Sequence, residues 1–264
     1  MAETLLALRD VTLTFAGNVV LQDVNYAVTA GSISSLIGPN GAGKTSLFNC
    51  VTGFYKPQVG SVAFAGVPLL PLKPYQVTQT GIARTFQNVR LFRQMSVLEN
   101  VMSGQHCRTT AGAISAILHL PSERREERQI RARAADCLCF AGIPEVEWDR
   151  DASTLAYGHQ RRVEIARALA TIPKLLLLDE PAAGLTKSEK GELINLISRI
   201  RRDLDIAVLL IEHDMGLVMS ISERVSVLDH GLVIAEGTPK EIQSNPTVIE
   251  AYLGAEDAEN ILDL

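Results

Sequence analysis

The sequence predicts an α/β protein with a phosphate-binding site at the carboxyl ends of its strands, and three observations carry that prediction. Residues 38–45 read Gly-Pro-Asn-Gly-Ala-Gly-Lys-Thr, a P-loop, directly after the β-type run Ser32-Ile33-Ser34-Ser35-Leu36-Ile37. Leu175, Leu176, Leu177 and Leu178 form a second apolar run that ends in the carboxylates Asp179 and Glu180. Beyond Glu180, strand-type and helix-type segments alternate, the pattern of a parallel sheet with crossover helices.

The N-terminal part reads as β-structure over residues 5–8, 11–15, 19–28 and 32–37, parted by the turn signals Ala16-Gly17-Asn18 and Ala30-Gly31. The P-loop follows. Gly38, Gly41 and Gly43 let the backbone turn tightly, so that successive N–H groups converge on phosphate oxygens. The helix expected over residues 44–51 points the positive end of its dipole at the same phosphates. Lys44 would reach the β- and γ-phosphates, and the Thr45 hydroxyl would ligate Mg²⁺. Gly38, Pro39, Asn40, Gly41, Ala42, Gly43, Lys44, Thr45 and Ser46 are thus the candidate ATP-binding stretch.

A short hairpin-like segment over residues 61–65 follows Gly60, and from about residue 88 to 156 the pattern turns helical. Ser122 is a candidate N-cap for a helix running to about Ala141, with Ile130, Ala134, Leu138 and Ala141 along one side. The other side sets Arg124, Arg125, Arg128, Arg131 and Arg133 against Glu123, Glu126 and Glu127, which reads as a solvated face. The leucine run at 175–178 suits a strand buried on both faces of a parallel sheet. An acid at the carboxyl end of such a strand sits where α/β sheets bind ligands. Asp179 is therefore the candidate anchor for Mg²⁺, directly or through water, and Glu180 the candidate general base for an attacking water. Next come a helix over 187–202, a strand over 207–211, a helix over 215–221 and strands over 224–228 and 232–236. Thr238-Pro239-Lys240-Glu241 opens a short helix, and residues 255–264 form an acidic tail with Glu256, Asp257, Glu259 and Asp263.

Composition bounds the function. The 264 residues are 47% hydrophobic and 21% charged, enough for a full core. A net charge of −5 argues against a nucleic-acid partner held by a generalised basic surface. Cys50, Cys107, Cys137 and Cys139 offer no disulfide framework, and Cys137-x-Cys139 lacks the second pair of a zinc site. Acids interrupt the first ten residues, so no signal peptide is expected, and no stretch reads as a membrane span.

Between the two phosphate-site motifs lies Leu155-Ala156-Tyr157-Gly158-His159-Gln160-Arg161-Arg162-Val163-Glu164-Ile165-Ala166-Arg167. With Gln87 in Arg84-Thr85-Phe86-Gln87-Asn88 and His213 in Ile211-Glu212-His213-Asp214, the order of motifs resembles the nucleotide-binding subunits of ATP-binding-cassette (ABC) transporters. The resemblance covers residues 15–254. It implies a P-loop NTPase fold with a mixed central sheet, an N-terminal antiparallel β subdomain and a helical subdomain. As a single domain over 1–254, the core would take about 1–87 and 157–254, and the helical subdomain about 88–156.

Further roles are what the resemblance implies. Phe15 would stack on adenine, although taken alone such an aromatic is more often a core residue. Gln87 would contact Mg²⁺ and the lytic water and relay nucleotide state to a membrane partner. His213 would reach the γ-phosphate and join Glu180 and Lys44 as catalytic, with Thr45, Gln87 and Asp179 about the metal. Ala156, Tyr157, Gly158 and His159 stand where the family has Ser-Gly-Gly-Gln in the signature that completes the partner's ATP site. The lost serine hydroxyl would cost about 1 kcal/mol of γ-phosphate contact.

Ala-Tyr-Gly at this place, the stretch 86–101, Glu180-Pro181-Ala182-Ala183-Gly184-Leu185 and the ending 245–254 are similar to ATPases of branched-chain amino acid importers. Thr186 stands where that loop has Asn or Asp. Urea importers and lipopolysaccharide exporters share some of these features, and a soluble cassette protein without a permease is the reading of a different class. The resemblance implies an MgATPase at the cytoplasmic face of the membrane. Its partners would be permease subunits, a second ATP-binding subunit (the same chain or a sibling) and an extracytoplasmic solute-binding protein. The permease would dock after Gln87, where Leu91, Phe92 and Met95 are interspersed with Arg90, Arg93 and Gln94.

Overall fold

The computed structural model describes residues 3–108 and 121–253. The acidic tail expected over 255–264 lies outside them. The chain divides into two compact units, one running to Arg84 and resuming at Lys174, the other Thr85–Pro173.

The first unit holds two sheets. β1 (Thr4–Phe15), β2 (Asn18–Thr29), β4 (Val59–Phe64) and β5 (Val67–Pro68) form an antiparallel sheet in the order β2-β1-β4-β5. Residues 5–8 and 11–15 are one strand rather than two. At the expected break the ladder bulges, with Asp10 in the left-handed region at φ 50° and its N–H donating to Asn25 Oδ1 at 3.2 Å.

The second sheet adds β3 (Ile33–Ile37), β6 (Ile82–Arg84), β7 (Leu175–Asp179), β8 (Ala207–Ile211), β9 (Arg224–Asp229) and β10 (Leu232–Gly237), in the order β10-β9-β3-β8-β7-β6. All neighbours run parallel except β10, so the sheet is mixed. β3, β7 and β8 are buried at every residue, which is why β7 and β8 read as apolar runs, while β3 buries Ser34 and Ser35 among its apolar residues.

Around the sheets lie α1 (Lys44–Val51) and α2 (Pro74–Thr80). α2 and β6 have no counterpart in the sequence expectation: one is a single short helix and the other a three-residue edge strand. The two sheets close on one core that includes Leu6, Leu21, Phe48, Phe64 and Leu209. All four cysteines are free, and burial pushes the Cys50 thiol up to about 12, as suits an inert core side chain.

In the second unit α3 (Val97–Ser103), α4 (Pro121–Phe140) and α5 (Tyr157–Ala170) pack pairwise. α3 opens on a capping box in which Ser96 and Glu99 bond each other's backbone N–H at 3.2 and 2.8 Å. The described part of α4 opens at Pro121, so Ser122 falls inside the helix rather than capping it. Ala134, Leu138 and Ala141 are buried and Arg125, Arg128, Arg131 and Arg133 exposed, the two faces the periodicity separates. Residues 157–170 pack with α3 and α4 and so belong to this unit, whereas the sequence reading drew the boundary at 156.

The C-terminal half of the first unit continues with α6 (Lys187–Leu204), α7 (Met215–Ile221), α8 (Pro239–Gln243) and α9 (Pro246–Leu253). Thr238 and Glu241 form the expected capping box on α8. Among the described residues no helix is long and apolar enough to cross a membrane.

Candidate active site

The P-loop leaves the buried end of β3, and each glycine is there for a physical reason. Gly38, Gly41 and Gly43 take φ of 146°, 81° and 105°. A Cβ at Gly38 would also collide with the Leu228 carbonyl, and one at Gly43 would lie 2.8 Å from the Val20 carbonyl. Gly41 has open space around it, so there the backbone angle alone excludes a side chain. The first turn of α1 carries no acid to neutralise its positive end. Lys44 is buried and folded over the loop, its Nζ donating to the Gly38 and Pro39 carbonyls at 2.6 and 2.9 Å. Asn40, Gly41 and Thr45 are exposed, Ser46 half-buried, and Pro39 and Ala42 buried.

Asp179, only 3% exposed, ends β7 between β6 and β8. Its Oδ2 accepts from Arg84 Nη2 at 2.8 Å. The same guanidinium donates to Asn49 Oδ1 at 2.7 Å and Thr52 Oγ1 at 3.3 Å on the far end of α1, and lies 5.4 Å from the Phe48 ring centre. Arg84 therefore ties the helix after the P-loop to the carboxylate at the end of β7.

Glu180 follows in the left-handed region at φ 46°, its N–H bonded to the Ile211 carbonyl at 2.9 Å. A non-glycine residue held there stores backbone strain, a common property of functional turns. His213, beyond β8, brings its Nε2 to 3.0 Å from Glu180 Oε1. Between them Glu212, 4% exposed, accepts from the N–H groups of Ala182, His213 and Asp214 at 2.7, 3.0 and 3.3 Å. Burial pushes the Glu212 carboxyl above its ordinary range, against the pull of those three donors. The buried acid thus staples the 180–182 turn to the 212–214 turn. Asp214 caps α7 through Leu217 N–H at 3.0 Å and pairs with Lys190 at 2.5 Å. Phe15 is 42% exposed and meets the Tyr55 ring edge-on at 5.0 Å, so it is not a core residue.

In the second unit Gln87 is exposed and Phe86 half-buried. Ala156 is the N-cap of α5 and exposed, Tyr157 is 41% exposed and Gly158 is buried. His159 Nδ1 lies 2.7 Å from Glu147 Oε2, so this ring is engaged with a carboxylate rather than merely solvated. The loop before α3 is shaped by the fully buried Asn100. Its amide accepts from Phe92 N–H at 2.8 Å and donates to the Phe92, Met95 and Ser96 carbonyls at 3.0, 3.3 and 3.0 Å. Phe92 is left 54% exposed, its ring 5.8 Å from the Arg167 guanidinium, while Leu91 and Met95 are half-buried.

A family profile described as ABC transporter matches residues 21–183. The chain belongs to the ABC transporter ATP-binding family. It is an ATPase of the class that powers membrane transport, and a second profile, described as Branched-chain amino acid ATP-binding cassette transporter, matches residues 233–258. The chain is 47% identical over 254 residues to the high-affinity branched-chain amino acid transport ATP-binding protein LivG of Escherichia coli (strain K12), covering 96% of this chain and 99% of that one. It is 44% identical, with the same coverage, to the corresponding protein BraF of Pseudomonas aeruginosa. Among solved structures, the ADP conformation of MJ1267, an ATP-binding cassette of an ABC transporter, superposes with a TM-score of 0.83 at 31% identity over 96% of this chain and 99% of that one. A dimeric post-hydrolysis state of the cassette MJ0796 bound to ADP and Pi gives 0.76 at 26% identity over 89% and 98%.

In this ABC ATPase the donors at hand fit Mg²⁺ with a nucleotide. They are hard oxygens, a hydroxyl on the exposed Thr45 and a carboxylate on Asp179, with the glycine-rich P-loop immediately before Thr45. Among the described residues no three His, Cys, Asp or Glu side chains cluster as a metal cage.

Four charged residues of these sites escape sequence reasoning: Arg84, Arg161, Glu164 and Glu212. Arg161 and Glu164 stand at i and i+3 and read as an ordinary exposed helix pair, yet both are fully buried. Thr186 has a visible local role as N-cap of α6, accepting from Glu189 N–H, which a hydroxyl can do as an Asn or Asp would.

Proposed function

We propose that this chain is the MgATP-hydrolysing subunit of a membrane importer for branched-chain amino acids, peripheral at the cytoplasmic face. The observation that carries the hydrolytic reading is the 3.0 Å approach of His213 Nε2 to Glu180 Oε1, beside Asp179 and on the same sheet as the P-loop strand. In this reading the P-loop backbone and Lys44 bind the phosphates, and Phe15 with its Tyr55 neighbour offers a flat apolar surface to the adenine. Thr45 and Asp179 would hold Mg²⁺, which when bound offsets phosphate charge, and the assignment of Gln87 to the same ion rests on the family resemblance. Glu180 accepts a proton from the attacking water, and His213 holds the carboxylate in place and faces the γ-phosphate. Ala156, Tyr157, Gly158 and His159 complete the ATP site of a second ATP-binding subunit, either the same chain or a sibling.

The amino-acid cargo is supported by the names of the relatives and by the C-terminal profile match, which favour it over urea or lipopolysaccharide. A solute-binding protein and permease subunits complete the system, with the loop around Phe92 as the docking surface. The test is reconstitution of the chain with its permease and binding protein in vesicles. ATP-dependent leucine uptake supports the reading, and ATP hydrolysis that no branched-chain amino acid stimulates overturns the cargo.

A further inference from the structure

We propose that Arg161 is a positioning residue that locks the Gln87 segment to the signature helix α5, and that Tyr157 is the arm through which the signature reaches it. This rests on the ATPase reading above, since it concerns how that site's parts are held.

The Arg161 side chain is completely buried, and each end of its guanidinium is used twice. Nη1 donates to the Phe86 carbonyl at 2.7 Å and to Glu164 Oε2 at 2.9 Å. Nη2 donates to the Gln87 carbonyl at 2.6 Å and to the Tyr157 hydroxyl at 3.1 Å. Glu164, 1% exposed, takes the next stretch of backbone, accepting from Arg90 N–H at 3.2 Å through Oε1. Burial pushes the Glu164 carboxyl above its ordinary range, and the Arg161 charge works against that shift. The guanidinium of Arg90 in turn covers the Phe86 ring at 4.5 Å. One ion pair on α5 therefore grips the 86–90 backbone by its carbonyls and by an amide.

A buried ion pair is a poor source of stability, because desolvation consumes most of its attraction. Among the described residues one guanidinium nitrogen, Arg161 Nε, has no hydrogen-bond partner. An apolar pair of equal volume would fill the space but could not hold two carbonyls and an amide in register. What the pair supplies is geometry: Gln87 leaves the helix side at a set point.

Tyr157 ties this clamp to the motif. It is the first residue of α5, occupies the position where the general family pattern has its first signature glycine, and is 41% exposed while its hydroxyl turns inward to Arg161. A glycine could make no such bond. A group that binds at the start of α5 and shifts the Tyr157 ring moves its hydroxyl, and the same guanidinium carries that shift to the Gln87 carbonyl. The departure from the family pattern thus adds a mechanical link while it removes a serine donor.

The test is amide hydrogen exchange over residues 86–90 in the full-length chain, for wild type, Tyr157→Phe, Glu164→Gln and Arg161→Lys, together with steady-state ATPase kinetics. Arg161→Lys keeps the charge and loses the fork. We expect exchange at 86–90 to rise at least about 10-fold in Arg161→Lys and severalfold in Tyr157→Phe, as expected when charge-assisted bonds are lost, with exchange in β3 and β7 unchanged. In Arg161→Lys kcat should fall about 10-fold while KM for ATP stays within about twofold, since the P-loop contacts are untouched. Wild-type exchange at 86–90 in Arg161→Lys overturns the clamp, and wild-type exchange in Tyr157→Phe overturns its link to the signature. Should Arg161→Lys fail to fold, the other two variants decide: Tyr157→Phe deletes one bond, Glu164→Gln removes the carboxylate charge that pairs with Arg161 and an acceptor, and wild-type exchange at 86–90 in Glu164→Gln overturns the clamp. Absence of ATPase activity in the wild type would defeat the functional reading without altering the exchange result.

Discussion

Replacing Arg84 by Met tests whether Asp179 depends on a protein cation until a nucleotide-bound one arrives. The pair lies at 2.8 Å with side chains 7% and 4% exposed, so water screens it little. Methionine keeps much of the volume and can still pack on Phe48, but it removes the counter-ion and the bonds to Asn49 and Thr52. Breaking a buried pair from one side costs about 3–5 kcal/mol, chiefly because the remaining charge stays buried and uncompensated. At about 2–4 °C per kcal/mol for a chain of this size, the melting temperature without metal or nucleotide should fall by about 6–20 °C. With Mg²⁺ and a non-hydrolysable ATP analogue the loss should shrink, since a divalent ion beside Asp179 supplies positive charge in place of the guanidinium. Scanning calorimetry in EDTA and in excess Mg²⁺-nucleotide, on wild type, Arg84→Met and Arg84→Met/Asp179→Asn, measures all of this. The double variant should recover most of the lost stability. A fall of less than about 2 °C in EDTA would refute the dependence of Asp179 on Arg84, and an equal fall with and without Mg²⁺-nucleotide would refute the placement of the cation beside Asp179.

Three further outcomes follow from the geometry. Glu180→Gln keeps an acceptor for His213 Nε2 but no proton acceptor for water, so ATP binding should persist while kcat drops at least about 100-fold; near-normal turnover removes Glu180 from the base role. Lys44→Ala should weaken ATP binding measured by calorimetry, because a buried ammonium folded over the P-loop is lost, and equal affinities would detach Lys44 from the phosphates. Phe92→Asp, on the loop shaped by Asn100, should abolish leucine uptake in cells while the melting temperature stays within about 2 °C of wild type; normal uptake would exclude this loop as the docking surface.

What the sequence made legible follows from what local pattern can encode. β8 stands at the expected 207–211 because a doubly buried strand is a run of apolar residues, and α7 stands at the expected 215–221 with Asp214 as its cap. The positions of the P-loop after β3 and of Asp179 and Glu180 at the end of β7 follow from the same runs, whereas His213 is singled out by the family resemblance. β1 was not read as one strand, because Arg9 and Asp10 interrupt the alternation and the bulge that absorbs them depends on Asn25 of the next strand. The charged residues that organise the sites were harder still. Pattern assigns a charge to the surface, and an Arg in a three-residue strand or a Glu three places after an Arg gives no sign of burial. The carboxylate partner of Arg84 is Asp179, 95 positions away, and the carbonyls that Arg161 holds are those of Phe86 and Gln87, 75 and 74 positions away. Such a charge costs free energy to bury and persists only where its partners are all in place. Local pattern therefore finds residues that follow apolar runs but fails at the buried charges that position them, and such a charge found in the structure is the better guide to how Asp179 and Gln87 are held.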